Sequence, residues 1–318
     1  MQYFDLHCDT MTECTLQGVP LGENQLHVSL HTAKNWDHYV QCYAVWIPDE
    51  LRGDAAWDRF LEIVRTFHKE LTENHRCLSQ LTGPGDLTFL EKEGRHGAIL
   101  TLENGAALGG NLERVKELQR LGVRMCTLTW NGANEIGRGV MAPGTSGLTD
   151  FGREVVSAFE AAGILVDVSH ASPELFWDVA RIATKPLVAS HSNAKEVCKH
   201  PRNLSREQFE AIKNSGGLVG LNFYKAFLND VPEKACMEDV IRHAEYFLSL
   251  GGEDVLSLGG DWDGADLPDD MPGLAAIPDL YELFLRKNYG ESLVQKLFYG
   301  NAASFFQKRE FTLTEQKK

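Results

Sequence analysis

The chain has 318 residues, of which 43% are hydrophobic and 24% are charged, a profile typical of globular proteins and unlike that of disordered or fibrous ones. Its formal net charge of −14 argues against nucleic acid and anionic membrane surfaces as partners, because both attract positive charge. No apolar run reaches the roughly 20 residues that span a bilayer. The first predicted strand begins at Tyr3, too early for a signal peptide to precede it.

The seven cysteines form neither a CxxC motif nor a cluster with histidines. Their number is odd and several lie in apolar, strand-like runs, so we expect reduced, buried thiols in a cytoplasmic protein. No low-complexity linker or shift in composition divides the chain, which predicts a single domain over residues 1–318.

Eight short apolar runs recur along the chain, and longer segments separate them. The runs are 3–8, 42–47, 97–102, 124–129, 165–169, 187–190, 218–222 and 255–259. Several are nearly continuous in valine, isoleucine, leucine and alanine, which is typical of strands buried on both faces.

The segments between the runs show helical periodicity. Apolar residues recur at helical spacing within 57–71, 112–121, 151–162 and 240–248. Gly122, Gly163 and Gly251 lie just past three of these patterns, where a helix C-cap favours glycine. The first crossover, from about Met11 to Gln41, is the least regular, and we expect a loop or a short hairpin there.

Strands that alternate with helices imply parallel pairing through right-handed crossovers. Eight such units close most naturally into a (β/α)₈ barrel, the TIM barrel of the α/β class, with an open doubly wound sheet as the structural alternative. The active site of such a barrel lies at the C-terminal ends of its strands. The side chains that end the runs are therefore the candidates for a functional site.

The first and third runs end in side chains that bind metals. His7 and Asp9 end the first run, and because residues two apart on a strand share a face, they could reach one cation together. Glu103 ends the third run, and the two oxygens of a carboxylate can bridge two cations. Taken singly, a chance pair or a loop acid would explain each of these residues.

The fifth, sixth and eighth runs end in further candidates. His170 and His191 lie at equivalent positions of neighbouring predicted strands. Asp261 follows Gly259 and Gly260 and could bind a metal, carry a proton or do both, whereas Asp263 better suits an Asx turn. The convergence of all six side chains on one edge of the sheet favours a metal site. Nitrogen and oxygen ligands without thiolates predict Zn²⁺ and tolerate Mn²⁺ or Co²⁺.

The motifs His-x-Asp, Glu-Asn-Gly, Asp-Val-Ser-His, Ser-His-Ser and Gly-Gly-Asp-x-Asp-Gly, in this order, resemble those of the membrane (renal) dipeptidase family. This is peptidase family M19 of the amidohydrolase superfamily, and the resemblance runs from about Phe4 to Phe306. It implies a zinc-dependent hydrolase that cleaves dipeptides with two cations per chain. His-x-Asp on the first strand, where related deaminases and lactonases usually have His-x-His, favours the dipeptidase.

The resemblance also implies roles for these residues. His7 and Asp9 would bind the first zinc, His170 and His191 the second, and Glu103 would bridge both. A water or hydroxide would lie between the two metals and attack the peptide carbonyl.

Further roles follow from the same resemblance. Asp261 would accept the proton of the attacking water and pass it to the leaving amine. Arg202, eleven residues after His191, would help to hold the substrate, with a surface arginine that caps the turn 201–205 as the alternative. Tyr224 is expected to contact the substrate as well.

One position departs from the family pattern. Many members have a histidine after Leu-Thr at the end of the fourth strand, where it contributes to polarising the substrate carbonyl, but this chain has Trp130 there. Asn131 or Asn134 could supply a hydrogen-bond donor instead, or the metal alone could polarise the carbonyl. Trp130 could then form a wall of the substrate pocket.

Two other functions stay open at this point. One is another amidohydrolase, acting on an amide, a lactam or an N-acyl amino acid, and the other is a metal-stabilised protein that binds peptides without cleaving them. For the leading hypothesis we expect a small dipeptide as the binding partner and, from the resemblance alone, a homodimer. The side chains that the substrate carries, and whether its C-terminal residue can be a D-amino acid, do not follow from the sequence.

Overall fold

Nine parallel strands form the sheet of the computed structural model, which describes residues 1–83 and 85–308. Their bounds are β1 Gln2–Cys8, β2 His38–Trp46, β3 Leu78–Gln80, β4 His96–Glu103, β5 Val123–Thr127, β6 Leu165–Asp167, β7 Val188–Ala189, β8 Leu218–Leu221 and β9 Leu256–Leu258. All eight predicted runs form strands, and β3 is additional to them.

Eight of these strands close into a ring. Neighbours follow the order β1, β2, β4, β5, β6, β7, β8 and β9, and β9 pairs back onto β1 through Leu258 and Asp5. The extra strand β3 pairs with residues 96–98 at the start of β4, while β5 pairs with residues 100–103 of the same strand. The predicted (β/α)₈ barrel is therefore confirmed, and the open sheet is wrong.

Helices occupy the segments between the strands. They are α1 Thr10–Gln17, α2 Leu30–Ala33, α3 Gly53–Glu73, α4 Asp86–Glu93, α5 Arg114–Leu121, α6 Asp150–Ala162, α7 Pro173–Ile182, α8 Arg206–Asn214, α9 Lys225–Leu228, α10 Met237–Ser249, α11 Ile277–Arg286, α12 Glu291–Gln295 and α13 Asn301–Gln307. Gly122 and Gly163 cap α5 and α6 in the left-handed conformation, as predicted. Gly251 also has a positive φ, one residue beyond the cap of α10.

The first crossover contains no hairpin. It begins with α1, which Gly18 ends in a left-handed conformation, and continues through turns into the short helix α2. Helix α2 is capped by the hydroxyl of Ser29, which accepts a hydrogen bond from Thr32 N. Of the two expected structures the hairpin is therefore wrong, and residues 18–29, between the two helices, form the loop.

Apolar side chains pack on both sides of the barrel wall. Helix α3 buries Phe60, Val64 and Phe67 at helical spacing in the larger cluster, between strands and helices. A fully buried side chain of this kind contributes roughly 1.5–3 kcal/mol relative to an exposed one. A smaller cluster joins strand residues to α13, where the rings of Phe4 and Phe306 stack 5.3 Å apart.

Strand β1 is irregular where it approaches the mouth of the barrel. Its register on β2 shifts by one residue between Asp5 and Cys8. The buried Asp5 carboxylate accepts hydrogen bonds from His7 N at 3.0 Å, Gly260 N at 2.9 Å and Gln41 Nε2 at 2.8 Å. A one-residue shift exchanges the faces of the side chains that follow it. Asp5 therefore stabilises the local geometry that sets the direction of His7.

The seven cysteines, all within the described residues, are free thiols, and five of them are buried. Within residues 1–83 and 85–308, none of the helices combines the length and the apolar character that crossing a membrane requires.

Candidate metal centre

Six side chains converge at the C-terminal mouth of the barrel. They come from β1 and the position after it, from the end of β4 and from the segments that follow β6, β7 and β9: His7, Asp9, Glu103, His170, His191 and Asp261. The first five are at most 7% exposed, so they lie beneath the surface of the mouth. The structure therefore brings together all six residues that the strand ends predicted.

His7 lies at the centre of a first group of donor atoms. Its Nε2 is 3.4 Å from Asp9 Oδ2, 3.5 Å from Glu103 Oε2 and 3.8 Å from Asp261 Oδ1. The ligand atoms of His7, Asp9 and Asp261 all lie within 4.8 Å of one another. Ligands that each stand about 2.0–2.2 Å from one cation have separations of this order.

Glu103 joins this group to a second one. Its other oxygen, Oε1, lies 2.9 Å from His170 Nε2 and 3.6 Å from His191 Nε2, and the two Nε2 atoms are 2.9 Å apart. The two oxygens of one carboxylate thus face different histidines, with His7 on one side and the pair on the other. This geometry suits a carboxylate that two cations share.

Three carboxylates share this buried space with His7. Burial and the charge of Glu103 raise the pKa of Asp9 to about 7, and burial also raises the pKa of Asp261. Burial acts against the ionised form of Glu103 as well, but His7 and His170 outweigh it and lower the pKa of that carboxyl. Burial favours the neutral ring of His7, yet Glu103 and Asp9 raise its pKa. The group carries an excess of negative charge that a divalent cation would neutralise.

Both histidines of the second group are neutral at pH 7. Burial lowers the pKa of His170 to about 4, and the positive charge of Arg202 acts in the same direction. Burial also lowers the pKa of His191, with a further contribution from His7. A histidine binds a metal through a neutral imidazole, so these two rings are ready to do so.

The residues at this mouth fit a bound metal. His7 Nε2 and Asp9 Oδ1 are buried and have no hydrogen-bond partner within the described residues, although an unpaired buried polar atom costs about 1–3 kcal/mol. Asn131 Oδ1 can only accept, so His170 Nδ1 keeps its proton and donates to it at 3.1 Å, which leaves the lone pair of His170 Nε2 facing Glu103. Divalent cations would satisfy all of these atoms, and the nitrogen and oxygen donors suit Zn²⁺.

Asp261 is held by a residue that the sequence interpretation missed. Asn222 Nδ2 donates to Asp261 Oδ2 at 2.9 Å, and Asn222 Oδ1 accepts from Tyr224 N at 2.6 Å, which determines the orientation of the amide. Oδ1 of Asp261 is left facing His7. Asn222 ends the run 218–222, so it lies at a strand end like the other candidates, but it is an amide and not a typical metal ligand.

Trp130 forms an aromatic wall beside the histidines. Its ring centroid lies 6.4 Å from that of His170, and Trp46, at the end of β2, packs against it edge to face at 5.0 Å. Asn131 contacts His170 as described above. Asn134 donates hydrogen bonds to a side-chain oxygen and a carbonyl of the protein, so its amide hydrogens are engaged.

Arg202 lies in the interior beside His191. Its Nη2 lies 3.4 Å from the His191 carbonyl, and its Nε has no hydrogen-bond partner within the described residues. Burial lowers the pKa of Arg202 to about 10, so the guanidinium is still charged at neutral pH. The Phe227 ring lies 5.2 Å from Arg202 Cζ and 4.7 Å from the ring of Tyr224. The alternative of a surface arginine is therefore wrong.

Backbone strain is concentrated at this mouth. Among the described residues, five other than glycine have a positive φ, and four of them follow strands that carry the site: Asn104, His170, Asp261 and Asp263. The left-handed conformation costs roughly 1–2 kcal/mol for a residue with a Cβ and persists where the surroundings hold it. Asp263 was expected to form an Asx turn, but its carboxylate instead accepts from Thr10 Oγ1 and from His27 N, each at 2.6 Å.

A family profile and a bacterial relative match most or all of this chain. The profile of the membrane dipeptidase family, peptidase family M19, matches residues 1–318. A Klebsiella pneumoniae protein, described as uncharacterised and in the pqqA 5′ region, is 37% identical over 261 residues, which cover 78% of this chain and 93% of that protein.

Two solved structures have the same fold. One is a metallo peptidase from Rhodobacter sphaeroides liganded with a phosphinate mimic of the dipeptide L-Ala-D-Ala, with 24% identity and a TM-score of 0.91 over 96% of this chain and 99% of that chain. The other is the dipeptidase AC, a metallo peptidase of family M19, with 25% identity and a TM-score of 0.92 over 98% of this chain and 99% of that chain. The chain therefore belongs to the membrane dipeptidase family, peptidase family M19, and is a metal-dependent dipeptidase.

Proposed function

We propose that the protein hydrolyses the peptide bond of free dipeptides at a centre of two divalent cations, with Zn²⁺ as the first choice. The observation that carries this proposal is the position of Glu103, whose two carboxylate oxygens face separate groups of donors. His7 and Asp9 would hold one cation, and His170 and His191 the other. When bound, paired cations of this kind supply a hydroxide from water at neutral pH and polarise a carbonyl oxygen.

Asp261 would carry the proton. Hydrolysis of a peptide bond removes a proton from the attacking water and delivers one to the departing amine nitrogen. Oδ1 of Asp261 faces the His7 group, while Asn222 occupies Oδ2. Burial raises the pKa of Asp261, which brings the carboxyl closer to the value at which one group both accepts and returns a proton near neutral pH.

Arg202 would bind the free carboxylate of the substrate. A buried charge without a close partner is unfavourable, so an anionic group that enters the site gains from pairing with it. The planar guanidinium suits a carboxylate because it can form two parallel hydrogen bonds. In a dipeptide the C-terminal carboxylate lies one residue from the bond to be cleaved, so this contact would restrict the enzyme to very short peptides.

Trp130 and Trp46 would line the pocket with apolar surface next to His170. Because a tryptophan stands where many family members have a histidine, polarisation of the substrate carbonyl would fall to the cations. Asn131 supports His170 in this scheme.

The proposed activity is tested by incubating the zinc-loaded protein with a panel of L,L and L,D dipeptides. We expect amino acids to be released, the release to stop when a chelator removes the metal, and Zn²⁺, Mn²⁺ or Co²⁺ to restore it. The L,D members test whether a D-residue is accepted at the C-terminal position, as the ligand of the Rhodobacter sphaeroides structure suggests for that protein.

Two outcomes would contradict the proposal. N-acyl amino acids and lactams belong in the same panel, and exclusive turnover of those compounds would assign the site to another amidohydrolase reaction. Binding of dipeptides without turnover at any metal concentration would make the protein a peptide-binding one.

Replacing Arg202 by lysine is expected to raise KM for dipeptides about 10- to 100-fold and to change kcat less, since charge-assisted hydrogen bonds contribute roughly 1.5–3 kcal/mol. Lysine keeps the charge but loses the planar pair of donors. Steady-state kinetics on a dipeptide and its C-terminal amide measure the effect, which should be confined to the substrate with the carboxylate. Arg206→Lys, at an exposed ion pair with Glu210, is the control. Equal losses on both substrates would remove Arg202 from carboxylate recognition.

A further inference from the structure

The barrel interior beneath the histidines contains a carboxylate that the proposed mechanism does not use. Asp167, the last residue of β6, is fully buried. Its Oδ1 accepts from the main-chain N–H groups of Ser169 and Ser190 at 2.9 and 3.0 Å. The hydroxyls of Thr127 and Ser190 lie 2.6 and 2.5 Å from its Oδ2. Four donors fill the accepting capacity of an ionised carboxylate.

Ser190 connects this carboxylate to the ring of His191. Its Oγ lies 2.5 Å from Asp167 Oδ2 and 2.7 Å from His191 Nδ1. A hydroxyl has one proton and can donate it to only one of these partners. Both oxygens of Asp167 face hydrogen-bond donors, and Ser190 Oγ donates its proton to Oδ2. Ser190 Oγ then accepts a hydrogen bond from the Nδ1–H of His191.

We infer that Asp167 and Ser190 are positioning residues that hold His191 with its proton on Nδ1, so that the lone pair of Nε2 is directed to the metal centre. His191 Nε2 lies 3.6 Å from Glu103 Oε1, on the side where the second cation is proposed. A neutral imidazole binds a metal only through the nitrogen that carries no proton, and the hydrogen bond of the other nitrogen decides which one that is. The inference rests on the proposed function in that His191 is a metal ligand.

The main chain at Ser190 is closely packed. A Cβ added to Gly220 of β8, or to Gly259 directly after β9, would come within 2.0 or 1.8 Å of the Ser190 carbonyl oxygen, so the backbone at both glycines packs directly against the main chain of Ser190. The hydroxyl of Ser169, by contrast, accepts from the main chain of His191 at 3.2 Å. Among the described residues, Ser190 is the one whose hydroxyl contacts both the Asp167 carboxylate and the imidazole ring of His191.

A role of Asp167 in joining strands would explain part of this network. Its bonds to the main chain and to Thr127 connect β5, β6 and the segment after β7. That role does not require Ser190 to contact an imidazole nitrogen. Thr127 and Ser190 both donate to Oδ2 of Asp167, but only Ser190 also contacts His191. Variants of these two residues therefore separate the structural role of Asp167 from its positioning role.

The first test compares the affinity of the metal-free protein for Zn²⁺, measured by competition with a chromophoric chelator, in the wild type, Ser190→Ala and Thr127→Val. Ser190→Ala removes the link to His191, whereas Thr127→Val removes the other hydroxyl from Asp167 and does not touch the ring. We expect Ser190→Ala to weaken binding of one of the two cations about 10- to 100-fold. Thr127→Val should leave both affinities nearly unchanged. Equal losses in the two variants, or no loss in Ser190→Ala, would overturn the inference.

The second test observes the tautomer directly. In ¹⁵N spectra of the histidine rings of the metal-free wild type, His191 should show a protonated Nδ1 and an unprotonated Nε2, with the signals assigned by their loss in His191→Gln. A protonated Nε2 would overturn the inference even if Ser190→Ala failed to fold. Neither measurement depends on turnover. The protein could therefore fail to hydrolyse the dipeptides although His191 has the inferred tautomer. Conversely, it could hydrolyse them although the inferred tautomer is wrong.

Discussion

Replacing Glu103 by glutamine is expected to remove at least one cation and to lower kcat/KM by about three orders of magnitude or more. Glutamine has nearly the same size, but it has no charge and one of its oxygens becomes an amide nitrogen, which cannot bind a cation. In Glu103 one oxygen faces His7 and the other faces His170. In the variant, one of these two groups would face the amide nitrogen instead of an oxygen. Metal ions contribute several kcal/mol to such reactions, and about 1.4 kcal/mol corresponds to a tenfold change in rate.

Metal analysis after dialysis and steady-state kinetics on a cleaved dipeptide together check this expectation. Glu117→Gln is a suitable control, because Glu117 is partly exposed on α5 and pairs with Arg120 three residues later. The thermal unfolding of both variants shows whether the barrel itself is affected. A Glu103→Gln protein that keeps two cations and normal turnover would exclude Glu103 as the shared ligand.

The barrel could be predicted from the sequence because its strands are buried on both faces and therefore read as continuous apolar runs. This signal extends beyond the hydrogen-bonded strand, so that β7 was visible as the run 187–190 although it has only two paired residues. Strand β3 gave no such signal, since it has three residues and two of them, Ser79 and Gln80, are polar. The helices of the first crossover are short, and neither produces a long periodic pattern.

The residues that form the metal centre could be predicted from the sequence, because the C-terminal ends of the strands in a parallel barrel meet at one mouth. Their local backbone geometry could not be predicted. The spacing of His7 and Asp9 was interpreted as that of a regular strand, whereas β1 shifts register between Asp5 and Cys8, and Asp9 lies at the start of α1. The depth of Arg202 depends on contacts with residues distant in the sequence, and no local pattern reports it.

The acidic side of the pH profile provides a link between the structure and the role of Asp261. A carboxylate accepts a proton only in its ionised form, and burial raises the pKa of Asp261. In the metal-free protein the ionised form is therefore lost at a higher pH than for an ordinary aspartate. Bound cations favour the ionised form and act in the opposite direction. With Asp261 as the proton carrier, kcat of the metal-loaded wild type should decline on the acidic side as Asp261 becomes protonated.

Replacing Asp261 by asparagine is expected to leave the metal content unchanged and to lower kcat about 10²- to 10⁴-fold, the usual contribution of a positioned acid–base group. Asparagine can keep a contact with Asn222 but cannot accept and return a proton. Metal analysis, kcat and its pH dependence are the measurements, and the residual activity should lack the acidic decline that Asp261 causes. Asp266→Asn, in the exposed part of the same loop, is the matched control.

These measurements together separate the two possible roles of Asp261, metal ligand and proton carrier, that its position after β9 leaves open. Loss of a cation together with activity would make Asp261 a ligand, as its 3.8 Å distance from His7 Nε2 would allow. Unchanged turnover with both cations bound would remove Asp261 from the mechanism. A large fall in kcat with full metal content is the result expected of a proton carrier, because the cations can be retained without it while the amine cannot leave without a proton.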